Sequence, residues 1–276
     1  MTDRFLREYE LTIGIGAQAV IIRPPFRIAF SADKSDDATL NKLTLKIYNL
    51  SEAKRVRLVR DEDGGDYFPL ELKVGYQDNL ETIFRGSINT AGSTREGAEF
   101  ITAIECLDGG NDFLRAFVSA AVTTKAAVFD SILASMPNTA RGKIGTATEI
   151  IRPKVLVGNS IAVTQEMLDP DQKWFIDDER LNILRPDEIV SSFASVISAE
   201  TGLLNTPQAD KTVLTLNTMM NPAVKVGGLF RLISVTAPHL NGIYKVSAIT
   251  YSGDTDGNDW AQQVTGTIAQ NYKVPQ

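Results

Sequence analysis

Side chains that could act as nucleophiles, general bases or metal ligands are scarce in this sequence. The 276 residues contain one histidine, His239, and one cysteine, Cys106. No disulfide can form within the chain, so we expect an intracellular folding compartment. Zinc sites built from cysteine and histidine, and iron–sulfur sites with four cysteine ligands, need more ligands than one such chain provides. We interpret His239, in the turn-like segment 237–242, as a loop residue and Cys106 as a small core residue.

A glycine pattern near the N-terminus has the outline of a dinucleotide-binding loop. Residues 14–19 read Gly-Ile-Gly-Ala-Gln-Ala after the strand-like segment Leu11–Ile13. The phosphate-binding loop requires a helix next, because the N-terminus of that helix receives the pyrophosphate. In this sequence β-like residues 20–22 follow, and Pro24 and Pro25 come shortly after. We therefore predict a bent or hairpinned strand and no cofactor site.

Three acidic clusters raise the question of a metal site. The segment Asp254–Asp259 has the oxygen density of a calcium loop, but it lacks the ligand spacing and the closing glutamate of an EF-hand. Because acidic clusters bounded by glycine are also typical of hairpin loops, cation binding at this loop stays open. We interpret Asp61–Asp66 and Asp177–Glu179 as solvated turns, and Trp174 and Trp260 as hydrophobic anchors. The sequence thus assigns no catalytic, cofactor-binding or metal-binding residue, and its binding residues stay unknown.

Size and composition are those of a globular protein. At 276 residues and 30.1 kDa, the chain is long enough for about two domains. Hydrophobic residues make up 43% and charged residues 22%, which excludes wholesale disorder. The net charge of −6 argues against nucleic-acid binding as the main function, because phosphate recognition needs a basic excess. No apolar run reaches the ~18–20 residues of a membrane span, and we expect no signal peptide.

Alternating hydrophobicity predicts antiparallel strands in the first third of the chain. Leu43, Leu45 and Ile47 share one face of a predicted strand. Ser51 is placed to cap a short helix over Glu52–Val59. The remaining predicted elements of this part are strands at 68–76, 84–88 and 100–107, with a loop from Gly92 to Gly97 before the last strand. This pattern is typical of a β-meander.

The middle of the chain mixes helix and strand. Thr124 is placed to cap a helix over Lys125–Met136, which Pro137 ends. Segment 187–197 suits either a helix or an irregular strand. The other predicted elements are a loop from Asn138 to Pro153 and strands at Val155–Val157, Ile161–Thr164, Trp174–Ile176 and Leu181–Leu184.

Antiparallel patterning returns after Thr212. Asn241-Gly242 predicts a hairpin with a type I′ turn, because both central residues of that turn need positive φ. The predicted strands of this part are 214–218, 229–235, 244–250 and a last one that ends at Thr267.

The two ends of the chain resemble each other. Residues 43–45 have a counterpart in 214–216, and Phe100 has one in Trp260. The counterpart of Phe84–Ile88 is Tyr244–Ala248. Because several landmarks recur in the same order, we predict a mainly β (α+β) fold with two matching antiparallel β-barrel or sandwich modules around an insert. The predicted domains are residues 1–110, 111–198 and 199–276.

Several motifs resemble those of bacteriophage baseplate hub proteins. The resemblance covers roughly Leu43 to Trp260, in the family's order. Its parts are LTLKIYNLS at 43–51, LKVGY at 72–76, IFRGSI at 83–88, WFIDDERL at 174–181, ETGLLNTP at 200–207, NGIYKV at 241–246 and GDT followed by Trp260 at 253–260.

The resemblance implies a non-enzymatic virion protein of the tail baseplate, assembled in the host cytoplasm. In such hubs the two modules are similar to tail-tube proteins, so three chains present six modules. A homotrimer would then adapt the six-fold tube, or a tube-initiating protein, to the three-fold central spike and leave a channel for DNA. The implied partners also include neighbouring baseplate proteins, without sequence-specific nucleic acid or a membrane span. The alternatives are another baseplate or tube-initiating component, or a carbohydrate-binding or carbohydrate-cleaving β-protein.

Overall fold

The computed structural model describes residues 6–59, 67–77, 79–145 and 150–268. The first third contains seven strands, a short helix and a 3-10 turn at Gly16–Gln18. Its elements are β1 Arg7–Ile13, β2 Val20–Ile22, β3 Ile28–Ser35, β4 Lys42–Tyr48, α1 Glu52–Leu58, β5 Pro69–Tyr76, β6 Asn79–Glu96 and β7 Glu99–Leu107.

The middle segment contributes three helices and five strands. Its elements are α2 Gly110–Arg115, β8 Phe117–Thr124, α3 Lys125–Ala134, β9 Ala140–Ile144, β10 Ile150–Asn159, α4 Ser160–Met167, β11 Lys173–Ile176 and β12 Arg180–Leu184. The Thr124 hydroxyl accepts a hydrogen bond from the Ala127 amide at 3.2 Å, which confirms the predicted cap of α3.

The last third is β-rich again and includes a 3-10 turn at Pro238–Leu240. Its strands are β13 Ala194–Ser198, β14 Gln208–Asp210, β15 Val213–Met219, β16 Leu229–Ile233, β17 Gly242–Asp254 and β18 Trp260–Ile268. The mainly β class is therefore confirmed. None of the helices in the described residues is long and apolar enough to cross a membrane.

One thirteen-stranded sheet joins the first and last thirds of the chain. Its main path runs β14-β15-β18-β17-β3-β4-β7-β6-β5-β1-β2, and β16 with β13 branches from β17. The larger hydrophobic core draws side chains from both thirds, for example Leu45 and Val264. A second core lies within the middle segment around Phe129 and Ile176. The middle segment thus packs around its own apolar centre.

The alternating pattern of β4 places its side chains as predicted. Leu43, Leu45 and Ile47 are fully buried, while Thr44 and Lys46 are exposed. Burying each aliphatic side chain of this kind stabilises the fold by about 1.5–3 kcal/mol.

Both ends of the chain pair their strands in one order. In the first third, β4 pairs with β7, β7 with β6, and β6 with β5. In the last third, β15 pairs with β18, β18 with β17, and β17 with β16. The register agrees as well, because Leu43 lies opposite Cys106 just as Leu214 lies opposite Gly266. Each long strand also carries a bulge, at Asn89 in β6 and at Ser247 in β17. Ile88 is therefore equivalent to Val246, and the predicted match of Phe84–Ile88 with Tyr244–Ala248 is wrong by two residues.

Two predicted loops are wrong in part. The predicted loop from Gly92 to Gly97 is strand through Glu96, because β7 offers a hydrogen-bonding partner along its whole length. Gly97, with φ of 61°, forms the tight turn instead. The predicted loop from Asn138 to Pro153 contains β9 and the start of β10.

Two further predictions are wrong, and the structure decides between helix and strand for segment 187–197. Ile161–Thr164 is the first part of helix α4 and not a strand, since the Asn159 side chain accepts from the amides of Ile161 and Ala162. Asn241 has a φ of −64°, so a 3-10 turn enters β17 where the type I′ turn was expected. Within the ambiguous segment 187–197, the chain forms β13 from Ala194, parallel to β16.

Candidate functional site

The two ends of the chain meet along one strand pair, which we call the joint. Strand β3 of the first third pairs antiparallel with the distal half of β17, over seven residue pairs from Ala29 opposite Asp254 to Ser35 opposite Ala248. The Thr250 hydroxyl donates to Asp33 Oδ1 across the joint at 2.8 Å. The joint makes the sheet continuous, so it fixes the orientation of one end of the chain relative to the other.

An arginine and a turn hold the two strands together at the end of the joint where Ala29 lies opposite Asp254. Arg27 contacts the Asp254 carboxylate through two hydrogen bonds, of 3.1 Å from Nε and 2.9 Å from Nη2. Thr255 exchanges hydrogen bonds with Ile28, and Arg7 donates to the Asp254 carbonyl at 2.9 Å. The hydrogen bond from Arg27 holds the pKa of Asp254 below its ordinary value. The carboxylate of Asp254, the first residue of the segment Asp254–Asp259, is thus paired with an arginine.

A buried ion cluster lies at the other end of the joint. Lys34 of β3 is only 3% exposed, and its Nζ lies 2.6 Å from Asp177 Oδ1 and 2.7 Å from Asp178 Oδ1. The same ammonium donates to the Ile83 carbonyl at 3.0 Å. Lys225, from the last third, lies 3.3 Å from Asp178 Oδ2. Asp178 therefore links the middle segment to both ends of the chain.

The acidic residues of this ion cluster are held in a constrained turn between β11 and β12. Asp178 and Glu179 have φ values of 51° and 58°, the left-handed geometry of a type I′ turn. The Asp108 carboxylate accepts the amide hydrogens of both residues at 2.7 Å. Such φ values are unfavourable for residues other than glycine, so Asp108 compensates for the strain. The interpretation of Asp177–Glu179 as a solvated turn is wrong, because Lys34 and Asp108 hold the turn in a half-buried position.

Electrostatics in the ion cluster favour a permanently charged lysine. Burial would lower the pKa of Lys34, but Asp177, Asp178 and Asp108 raise it well above its ordinary value. Burial raises the pKa of Asp108 to about 8, and it also raises that of Asp177. For Asp178 the effect of burial is outweighed by Lys34 and Lys225, which hold its pKa at about 2.

The carboxylates of Asp108, Asp177 and Asp178 are the one acidic group of the described residues close enough together to share a metal ion. The Lys34 ammonium already lies against two of them. Its positive charge satisfies these carboxylates in the way a bound cation would, so we interpret the group as a structural ion cluster.

The residues that the sequence singled out for chemistry lie apart from one another. His239 is exposed in the 3-10 turn, and Cys106 is fully buried in β7, where burial raises its thiol pKa well above the ordinary value. Segment 14–19 connects the antiparallel strands β1 and β2, as the hairpin interpretation predicted. Trp174 and Trp260 are 2% and 6% exposed, so both are core anchors and neither offers a face to a sugar. Asp61–Asp66 lies outside the described residues.

Sequence reasoning missed Lys34, although a signal for it exists. The tetrapeptide Ala-Asp-Lys-Ser at 32–35 recurs as Ala-Asp-Lys-Thr at 209–212. Asp33 lies opposite Lys42, directly before the Leu-Thr-Leu of β4, and Asp210 lies opposite Val213, directly before the Leu-Thr-Leu of β15. This repeat marks β3 and β14 as equivalent strands.

Comparison with known proteins decides the family. The family described as baseplate hub gp41 matches residues 9–266 of this chain. The chain belongs to the baseplate hub gp41 family. It is therefore a structural component of the phage tail baseplate, and the resemblance found in the sequence is confirmed. No functionally curated protein matches the sequence.

Solved structures share the fold of this hub protein at low sequence identity. The 43 kDa tail protein of prophage MuSo2 from Shewanella oneidensis is 8% identical, with a TM-score of 0.66 over 96% of this chain and 98% of that one. The tail protein of Neisseria meningitidis MC58 is 9% identical, with a TM-score of 0.64 over 97% and 99%. The Escherichia coli c3393 protein, a type VI secretion component described as similar to T4 tail proteins gp27 and gp5, is 9% identical, with a TM-score of 0.63 over 96% and 79%.

Proposed function

We propose that three copies of this hub protein form a ring of pseudo-six-fold symmetry. The observation that carries the proposal is the common strand-pairing order of the two ends of one chain. Two equivalent modules per chain give six modules in a trimer, and such a ring can contact a six-fold tube on one face and a three-fold spike on the other. The channel of the ring would let DNA pass.

The proposal divides the chain into modules at residues 1–110 and 199–276, with an insert at 111–198. The joint and the buried ion cluster support this division, because they fix the two modules at one relative angle. A heterologous ring closes only if the rotation from module to module is constant. The function of the ion cluster is therefore to hold the angle that ring closure requires.

The proposed partners are a tail-tube or tube-initiating protein on one face and the central spike on the other, together with neighbouring baseplate proteins. The likeness to the E. coli protein, itself described as similar to gp27 and gp5, supports this assignment. No catalytic step belongs to the proposal, and DNA would pass without sequence-specific contacts. Assembly would take place in the host cytoplasm before the hub enters the virion.

The test is the mass and shape of the assembled protein. Light scattering of the purified chain, alone and with its spike, should give a species that contains three chains of 30.1 kDa each. Electron microscopy of that species should show a ring with a central channel and six lobes. A strict monomer in every mixture would contradict the proposal.

A further inference from the structure

Among the strand edges of the described chain that have no hydrogen-bonding partner, two belong to strands that recur in both modules. Strand β6 pairs with β5 through residues 79–87, but residues 90–96 pair with β7 alone, so their other side is free. Strand β14, at one end of the main path, pairs only with β15. We call these the β6 edge, residues 90–96, and the β14 edge, residues 208–210. Unpaired edges of this kind bind further strands readily.

The second module shows what occupies the position equivalent to the β6 edge. Strand β17 pairs with β16 through residues 242–245, and its distal residues 248–254 pair with β18 on one side and with β3 on the other. The distal half of β6 has the β7 partner that corresponds to β18, but it lacks a partner that corresponds to β3. The edge that the joint fills in one module is therefore open in the other.

Strand β14 has the features of the missing partner. It carries the Ala-Asp pair of the repeated tetrapeptide, at Ala209 and Asp210, as β3 does at Ala32 and Asp33. Both strands pair antiparallel with the strand that follows them, in one register. The three residues of β14 are all exposed, so their outer side is accessible to a strand from another molecule.

The bulges define the register that this equivalence predicts. Asn89 and Ser247 are the unpaired residues of β6 and β17, so positions are counted from them. In the joint, the third residue after the bulge, Thr250, lies opposite Asp33, and Tyr251 lies opposite Ala32. The equivalent pairs are Gly92 with Asp210, Ser93 with Ala209, and Thr94 with Gln208.

We propose that the β14 edge of one chain pairs with the β6 edge of a second copy in this register. Six strands of the main sheet lie between the two edges within one chain, and the edges do not pair with each other there, so the partner is a separate molecule. The contact is head-to-tail, so two joined chains keep one free β6 edge and one free β14 edge. A closed ring forms when further copies pair with these edges. The inference rests on the trimer proposed above and adds the strands and residues that join its chains.

Cysteine cross-linking between two differently marked chains tests the register. In a Cys106→Ala background, a chain with Thr94→Cys is co-expressed with a chain carrying Gln208→Cys, and the assembly is oxidised. Paired residues of antiparallel strands have Cα separations of about 4.5–5.5 Å, within the range of a disulfide. We expect a heterodimer on a non-reducing gel. As the control, Thr94→Cys with Asp210→Cys is two residues out of register, too far for a disulfide, and should give little product.

The outcomes separate this inference from the proposed function. A trimer by light scattering in which the in-register pair forms no disulfide, or no more than the control, overturns the strand assignment and leaves the ring intact. Absence of any oligomer contradicts the proposed function and the inference with it.

A second variant should strengthen the contact. Gly92 has the position that Thr250 has in the joint, and a Cβ at Gly92 would meet nothing within 4 Å. We expect Gly92→Thr to offer Asp210 of the neighbouring chain the hydrogen bond that Thr250 gives Asp33. Subunit exchange should slow about two- to tenfold, and adding Asp210→Ala should abolish the gain. An unchanged exchange rate in Gly92→Thr, with the trimer intact, would count against the proposed register.

Discussion

Lys34 Nζ lies 2.7 Å from Asp178 Oδ1, although the two residues belong to different parts of the chain. Lys34 is in the strand that forms the joint, and Asp178 is in a turn of the middle segment. The second oxygen of Asp178 lies 3.3 Å from Lys225. One carboxylate therefore connects the insert to both ends of the sheet, and the stability of the hub should depend on it.

Replacing the central lysine should destabilise the protein strongly. Lys34→Met leaves three clustered carboxylates without the ammonium between them, and we expect a loss of about 3–5 kcal/mol in the free energy of unfolding. Urea denaturation measures it. The matched control is Lys46→Met in the exposed face of β4, where a change within about 0.5 kcal/mol is expected. Equal stability of the two variants would show that the ion cluster does not hold the parts together.

The contribution of Asp178 should disappear in acid. Its folded-state pKa of about 2 lies below the unfolded value, so its stabilisation is complete above about pH 4 and is lost as the pH falls toward 2. Asp178→Asn should therefore destabilise the protein more at pH 7 than at pH 3.

The comparison changes one carboxylate of the coupled cluster. Asp108, with its pKa raised to about 8, has the opposite effect, since it stabilises the fold as the pH falls from 8 to 4. Asp108, Asp177, Lys34 and Lys225 are present in both proteins, but Asp178 raises the pKa of Asp108 and of Asp177. The difference between the two proteins therefore reports on Asp178 together with its effect on these two carboxylates. A difference in unfolding free energy that stays constant from pH 7 to pH 3 would refute the assignment.

A charge in the core of either module should abolish assembly. Ile47 and Leu216 are 0% and 2% exposed and lie on the buried faces of the equivalent strands β4 and β15. A buried carboxylate costs several kcal/mol out of a total of ~5–15 kcal/mol, so neither Ile47→Asp nor Leu216→Asp should give infectious particles. Thr44→Asp, on the exposed face of β4, is the control. Normal particle yield from Ile47→Asp would mean that this strand is not core.

Removing the single histidine and the single cysteine should leave infectivity intact. His239→Ala changes an exposed turn residue, and Cys106→Ala removes one buried sulfur atom that takes part in no disulfide. Particle yield with each variant as the sole source of the hub measures this. Loss of infectivity in His239→Ala, while the purified variant still forms rings, would reveal a chemical role for the imidazole.

The sequence predicted the elements that local pattern determines. Strand β4 follows from the spacing of Leu43, Leu45 and Ile47, and the start of α3 follows from Thr124, because period and capping are local properties. By contrast, Ile161–Thr164 is too short an apolar run to distinguish strand from helix. Its conformation depends on the Asn159 cap, which the pattern of apolar residues does not contain.

The ion cluster could not be predicted from the local sequence pattern, and the physical reason is a different one. Three consecutive acids at 177–179 have the composition of a solvated turn, and their burial depends on Lys34, which is more than 140 positions away. Only the recurrence of Ala-Asp-Lys at 32–34 and 209–211 connects that lysine to a strand edge. Internal repetition can reveal long-range pairing of this kind, because the contacts of one copy of the repeat indicate the contacts that the other copy can make.

The joint also has a consequence for synthesis of the chain on the ribosome. Strand β3 ends at Ser35, but the strand that covers its edge extends to Asp254. At about 5–20 residues per second, translation leaves that edge uncovered for roughly 11–44 s in every nascent chain. During this interval the uncovered edge of β3 is available for pairing with another unfinished copy. A host that translates this gene slowly, or on crowded polysomes, should therefore lose more of the protein to aggregation.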